Sequence, residues 1–154
     1  MGRRADVTDL ADEAADALEL LQLEVVPDER EVLTIRHLLR ECRALVGPGS
    51  ERVVVVSVED SVRVQRGFVS AIVAMLLRDA LRAAPAHERV AVTAQEIEGE
   101  LVVAVFARGA RNRDAAIEPF AHEAAVQLGG RVWSAHTDDG QLAMLAVPLY
   151  GLVN

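Results

Sequence analysis

Apolar residues recur at helical spacing in four stretches of the chain and at strand spacing between them. The helical spacing predicts helices over residues 7–21, 28–46, 66–84 and 114–128. The strand spacing predicts strands over residues 23–26, 51–58, 89–97, 101–107, 131–136 and 142–149. Helices that alternate with hairpin-linked strands predict an α+β fold, a two-layer sandwich in which helices cover one face of a mixed sheet.

Turn and capping residues set the expected limits of these elements. Asp28 is the expected N-cap of the second helix, and Pro85 closes the third, which is apolar around most of its circumference and should be buried. A turn at Glu98 and Gly99 predicts a hairpin. The second strand of that hairpin, residues 101–107, is continuously apolar, so we expect it in mid-sheet with both faces covered.

Composition narrows the class of protein. The chain has 154 residues, of which 51% are hydrophobic and five are aromatic, so a mostly aliphatic core is expected. All 16 basic residues are arginine and the formal charge is −8, which makes nucleic acid and anionic membranes poor partners. A single cysteine, Cys42, excludes an internal disulfide and a cysteine-built zinc site. With no apolar run of about 18 residues, we expect a cytoplasmic protein.

Charge is concentrated at the N-terminus. Residues 1–31 hold ten acidic residues and three arginines, a formal charge of −7, which leaves −1 for all the rest. The predicted helix over 7–21, capped by Asp6 or Thr8, has a narrow apolar stripe on an otherwise acidic surface. We therefore divide the chain into an acidic N-terminal helix, residues 1–22, and a body, residues 23–154. The stripe suits either a homodimer seam or docking onto the body.

The body resembles the ATP-binding domain of sensor histidine kinases, the Bergerat or GHKL fold, over about 100 residues. Four segments carry the resemblance: LLRDAL at 76–81, VFARGAR at 105–111, LGGRV at 128–132 and VPL at 147–149. They follow the order of the family's "LLxNA" helix, its "D-x-G-x-G" strand end, its "GG" and its final "LP". The resemblance implies a Bergerat-type mixed sheet and a dimerising hairpin tail at the N-terminus.

The resemblance to this family also implies that the nucleotide pocket is degenerate. Asp79 stands where the family has its Mg²⁺-binding Asn, and Ala107 where an Asp reads the adenine amino group. Gly109 matches the first glycine of the family's "D-x-G-x-G" motif, but Arg111 replaces the second. In the family, the backbone at that second glycine approaches the nucleotide closely. Only 21 residues separate Ala107 from Gly129, so the glycine-rich lid is missing. We therefore expect no ATP, metal or other cofactor, and no ATPase or kinase activity.

Two histidines are candidate phosphoacceptors. Phosphotransfer needs an exposed imidazole on a helix, and related dimeric phosphotransferases carry it on the helix that precedes the kinase-like domain. That helix has no histidine here. His37 lies on an arginine-rich polar face, and His122 is followed by Glu123. The ordinary interpretation of both is a solvated side chain. His87 and His136 lie in a turn and at a strand end, and no histidine pair has metal-site spacing.

These observations predict a non-catalytic signalling adaptor or regulator. Its expected partner is a protein, such as a response regulator, a kinase or a sigma-type regulator. Two alternatives stay open: a histidine phosphotransferase that uses His37 or His122, and an anti-sigma-like partner-switch binder. The cluster of Arg108, Arg111 and Arg113 could bind a phosphate or an acidic partner, but a solvated loop is the simpler and preferred interpretation.

Overall fold

A computed structural model describes residues 31–56, 61–110 and 119–149 of the chain. Within these ranges three helices cover a five-stranded sheet, and a small two-stranded sheet lies apart from it. In chain order the elements are β1 (Glu31–Thr34), α1 (Ile35–Val46), β2 (Val53–Val55), β3 (Ser61–Val64), α2 (Arg66–Ala83), β4 (Val90–Ile97), β5 (Glu100–Arg108), α3 (Pro119–Gln127), β6 (Arg131–Thr137) and β7 (Gly140–Pro148). The predicted α+β architecture is confirmed.

The larger sheet has the strand order β2-β4-β5-β7-β6. β2 runs parallel to β4, and the other neighbours are antiparallel, so the sheet is mixed, as predicted. β4 and β5 are joined by a tight turn at Glu98 and Gly99, whose φ angles are 51° and 79°. Such positive values suit a two-residue hairpin. The predicted hairpin β4–β5 is confirmed, and β6 and β7 form a second antiparallel hairpin.

The core lies between the sheet and the helices. α2 is buried along most of its length, as expected of a helix that is apolar nearly all round. Along β5 the side chains alternate between buried and half-buried. Leu101, Val103 and Val105 face the helices, whereas Val102 and Phe106 lie half-exposed on the other face. β5 is central, as predicted, but the expectation that both its faces are covered is wrong within the described residues.

The second helix is shorter than the apolar spacing indicates. Within the predicted range of 28–46, residues 31–34 form β1, which pairs antiparallel with β3, and the helix begins at Ile35. Thr34 is its N-cap, because the Thr34 hydroxyl accepts a hydrogen bond of 3.1 Å from the His37 amide. The prediction for residues 31–34 was wrong because β1 depends on a partner strand 30 residues away, which local spacing does not reveal.

Two strands also differ from expectation. In the described part of the predicted strand over 51–58, β2 begins only at Val53, because Ser50–Arg52 form a 3₁₀ turn, and residues 57–58 lie outside the described residues. β3 was not predicted, since its apolar positions number only two, Val62 and Val64. The predicted helices over 66–84 and 114–128 are found as α2 and α3 within the described residues.

Several expectations lie outside the described residues. They are the helix over 7–21, the strand over 23–26, the Asp28 cap and residues 114–118 of the fourth helix. Among the helices that are described, none combines the length and the apolar character needed to cross a bilayer.

Candidate functional site

Ala107 lies at the carboxyl end of β5, on the face that meets the helices. Its side chain is 2% exposed, and it pairs with Val90 of β4 and Gln141 of β7. The Ala107 carbonyl is closely covered as well, since a Cβ added to Gly140 would lie 2.2 Å from that oxygen. The position is therefore a packed, apolar part of the core with no polar side-chain atom to offer a ligand.

The glycine that follows is covered by the loop after α2. Gly109 has a φ of 75°, and its amide donates a 2.8 Å hydrogen bond to the Asp139 carbonyl. A Cβ at Gly109 would lie 3.3 Å from both Cγ and Cδ of Pro85 and 3.9 Å from Cγ of Glu88. The backbone at this glycine is thus packed against protein.

Asp79 lies near the carboxyl end of α2 and is half-buried. Its Oδ1 is 3.8 Å from Nη1 of Arg82, one helical turn along α2. The carboxylate is therefore held beside a cation of its own helix. The described residues contain no group of three His, Cys, Asp or Glu side chains that could hold a metal ion together.

Arg52 fixes the loop between α2 and β4. Its guanidinium donates to the carbonyls of Glu88 at 3.0 Å, Leu81 at 3.2 Å, Ala84 at 3.5 Å and Pro85 at 2.7 Å. Two of these oxygens, those of Leu81 and Ala84, belong to the last turn of α2 and to the residue after it, where carbonyls lack helical partners. The loop that packs on Gly109 is thereby tied to the 3₁₀ turn before β2.

The structure brings together only part of the predicted site. Asp79 lies on α2, Ala107 lies at the end of β5 and Gly109 just after it, whereas Arg111 and Arg113 lie outside the described residues. Sequence reasoning missed Arg52, whose role depends on carbonyls about 30 residues away. No local signal identifies such a contact.

The two candidate phosphoacceptor histidines lie on helix surfaces. His37 on α1 has a side chain 64% exposed, with Nε2 3.8 Å from Oε2 of Glu41. Nε of Arg66 donates to both oxygens of Glu41, at 2.7 and 2.8 Å. His122 is exposed on α3. By contrast, burial raises the pKa of the Cys42 thiol to about 12, so that nucleophile is not available near neutral pH.

A groove lined by four arginines lies between α1 and the edge strand β2. It has a volume of about 390 Å³, and its lining residues are Arg36, Arg40, Arg43, Glu51, Val53, Val54, Val55 and Arg89. The spacing of the three α1 arginines along one helix face is visible in the sequence. Arg89 joins them only because β4 pairs with β2, so sequence reasoning did not assemble this cluster.

The fold is that of the catalytic domains of histidine kinases. The nucleotide-free catalytic domain of histidine kinase ThkA superposes with a TM-score of 0.65 at 13% identity, covering 79% of this chain and 97% of that one. Histidine kinase AdeS of Acinetobacter baumannii gives 0.64 at 12% identity, covering 96% and 81%. At these identities the likeness establishes the fold.

Two further histidine kinase structures have the same fold. The mycobacterial sensor histidine kinase MprB has a TM-score of 0.60 at 13% identity, covering 79% of this chain and 98% of that one. ThkA in complex with the response regulator protein TrrA gives 0.66 at 13% identity, covering 95% of this chain and 49% of the kinase. No protein-family model matches the chain, and no curated protein sequence does.

Proposed function

We propose that this chain is a cytoplasmic, non-catalytic signalling adaptor built on a histidine-kinase-type ATPase fold that no longer binds ATP. The observation that carries the proposal is Ala107, buried at 2% exposure where the family resemblance expects a carboxylate. A methyl group cannot accept the hydrogen bond of an adenine amino group. An amino donor left unpaired in a buried site costs about 1–3 kcal/mol.

Two neighbouring features support the proposal. Pro85 lies beside Gly109, since a Cβ added to that glycine would be 3.3 Å from the proline ring, so the loop after α2 closes over this part of the proposed pocket. The chain also has Arg111 in place of the second glycine, and the 21 residues between Ala107 and Gly129 leave too little length for both a lid and α3. The adenine anchor, the close backbone approach and the phosphate cradle are thus lost together.

A domain of this fold that does not bind ATP can still act by binding another protein. ThkA, which has the same fold, is seen in complex with a response regulator. By analogy, we propose that this chain contacts a response regulator, a kinase or a sigma-type regulator. The acidic N-terminal segment is its dimer or docking element.

Calorimetry tests the loss of ATP binding directly. Titration of the full chain with ATP and ADP, each with Mg²⁺, should give no binding heat, and millimolar nucleotide should leave the melting temperature unchanged. Ligand at a hundred times its Kd would stabilise the fold by about 2.7 kcal/mol. Micromolar binding would overturn the proposal.

A histidine phosphotransferase is the second candidate, and the exposed imidazole of His37 beside Glu41 favours it. Phosphotransfer requires a helical imidazole that a partner's phosphoryl group can reach, and His37 meets that requirement. Incubation with a radiolabelled, phosphorylated receiver domain should then label the chain, and H37A should abolish the label while H122A keeps it. If neither H37A nor H122A changes the label, this candidate is excluded.

A further inference from the structure

The arginine groove between α1 and β2 places four cations on a small surface of an acidic protein. Arg36, Arg40 and Arg43 follow one face of α1 at intervals of four and three residues, and Arg89 faces them from the start of β4. Among the described residues, Glu51 is the one acid that lines the groove. Like charges at this helical spacing repel one another and destabilise a helix, so folding alone does not account for the cluster.

Two of these cations lack a partner within the described residues. Arg40 and Arg89 are exposed, and across residues 31–56, 61–110 and 119–149 neither side chain makes a hydrogen bond or ion pair. Nε of Arg43 donates a hydrogen bond of 3.1 Å to the Ser50 carbonyl. Within the described parts of the chain, the Arg40 and Arg89 guanidinium groups of the groove are therefore not neutralised, and such groups are suited to carboxylates.

The floor of the groove suits a chain segment better than a nucleotide. Its apolar lining consists of valines Val53, Val54 and Val55, with no aromatic ring on which a base could stack. β2 is an edge strand, and the Val56 amide already donates to the Val92 carbonyl at 2.9 Å. Because strand residues alternate, the backbone groups of Val53 and Val55 face the open edge. A ligand that carries both carboxylates and amide groups fits these features.

The chain itself contains a segment of matching charge. Residues 1–30 carry nine acids and three arginines, a formal charge of −6, and they include aliphatic residues that suit the valine floor. This segment enters the fold at β1, which leads at Thr34 directly into the helix that carries Arg36. A tethered segment has an effective local concentration of about millimolar, so it outcompetes the same segment of a second molecule at micromolar protein.

We propose that the acidic N-terminal segment, residues 1–30, docks in the arginine groove of its own chain, with its carboxylates against Arg40 and Arg89. Docking does not depend on whether the chain binds ATP, because the groove shares no lining residue with Asp79, Ala107 or Gly109. Failure of this proposal and failure of the pseudo-ATPase proposal are therefore seen in separate experiments.

A spin label on the segment tests the docking in the full chain. Cys42 is buried and does not react, so A17C gives one labelling site. The nitroxide should broaden the amide NMR signals of Val54 and Val55 selectively. This broadening should be lost in R40E, in R89E and in about 1 M salt, where the screening length falls to about 3 Å.

R63E is the matched control, because Arg63 is exposed on β3, outside the groove, and undergoes the same charge change. It should keep the broadening. The proposal is overturned if the parent chain shows no selective broadening at β2, or if R40E and R89E leave it intact. It is also overturned if broadening appears only when spin-labelled chain is mixed with isotope-labelled chain, since the segment of a second molecule would then fill the groove.

Discussion

A single guanidinium group, that of Arg52, ties the end of α2 to the loop before β4. Its three nitrogens donate to four backbone carbonyls between Leu81 and Glu88. These oxygens are partly buried, and without a donor each would carry a desolvation cost. The planar guanidinium group of arginine has several N–H donors and can reach several acceptors at once, which the single ammonium group of lysine cannot do in the same geometry. The contact fixes the loop that packs on Gly109.

We expect Arg52→Met to destabilise the fold by about 2 kcal/mol, because it leaves several carbonyls without a donor. Arg52→Lys should recover only part of this loss. Urea unfolding followed by circular dichroism measures the change. Arg63→Met is the control and should stay within about 0.5 kcal/mol of the parent. An equal effect of the two Met variants would contradict the role assigned to Arg52.

Cys42 gives the fold a dependence on alkaline pH. Burial raises the pKa of its thiol from 9.0 to about 12, so above pH 9 the unfolded chain releases a proton that the folded chain keeps. The stability contribution is therefore complete below pH 9 and is lost as pH rises towards 12.

Relative to Cys42→Ala, the parent chain should lose stability at about 1.4 kcal/mol per pH unit over this interval. Unfolding curves for both proteins at several pH values measure the difference. Parallel pH profiles for the two proteins would show that the thiol titrates normally in the fold.

α1 depends on its first residues for its starting point. The Thr34 hydroxyl caps the His37 amide, and Nε of Arg66, which donates to both carboxylate oxygens of Glu41, joins α1 to α2. Arg78 adds a hydrogen bond of 2.9 Å to the Leu45 carbonyl at the other end of α1. The helix is thus fixed at its start, middle and end by polar contacts, in addition to its buried face.

Thr34→Ala should lower the free energy of unfolding by about 1 kcal/mol, since one orphan amide loses its acceptor. Thr34→Ser keeps a hydroxyl at the cap and should cost much less. Thermal unfolding of both variants measures the difference. An equally large loss in Thr34→Ser would mean that packing of the Thr34 methyl group, rather than the cap, is what matters.

Elements whose pattern is strong and local were predictable from the sequence. α2 was predicted to within one residue of its end because eleven of its residues are buried and its apolar pattern is continuous. β1 was not predictable, because Val32 and Ile35 fit a helical spacing and only pairing with β3 makes residues 31–34 a strand. Long-range pairing was therefore the missing information.

At the scale of the whole molecule, the described residues have the fold of histidine kinase catalytic domains. The sequence resemblance located Ala107 and Asp79 in their elements, because the order of motifs survives along the chain. The arginine groove and the Arg52 contacts could not be predicted, since each joins residues that are remote in sequence and meet only through sheet pairing. Predictability thus ended where the site depends on tertiary contacts rather than on motif order.

Restoring individual side chains should not restore nucleotide binding. The variant D79N/A107D/R111G has the three residues that the family resemblance expects, but it does not change the proposed lack of a lid, and Pro85 still lies beside Gly109. We expect no ATP binding by calorimetry, with the fold verified by circular dichroism. Binding in a folded triple variant would show that side chains alone account for the loss.

The two edges of the larger sheet differ in a way that bears on self-association. β2 is three residues long and is bordered by arginines, which repel the arginines of a second copy, so both properties discourage pairing of two β2 edges. β6 is seven residues long and mostly exposed, and in the described part of the chain it has a strand neighbour on one side only. Aggregation of concentrated protein should therefore begin at β6, where a lysine at Ala135 would be the first remedy to try.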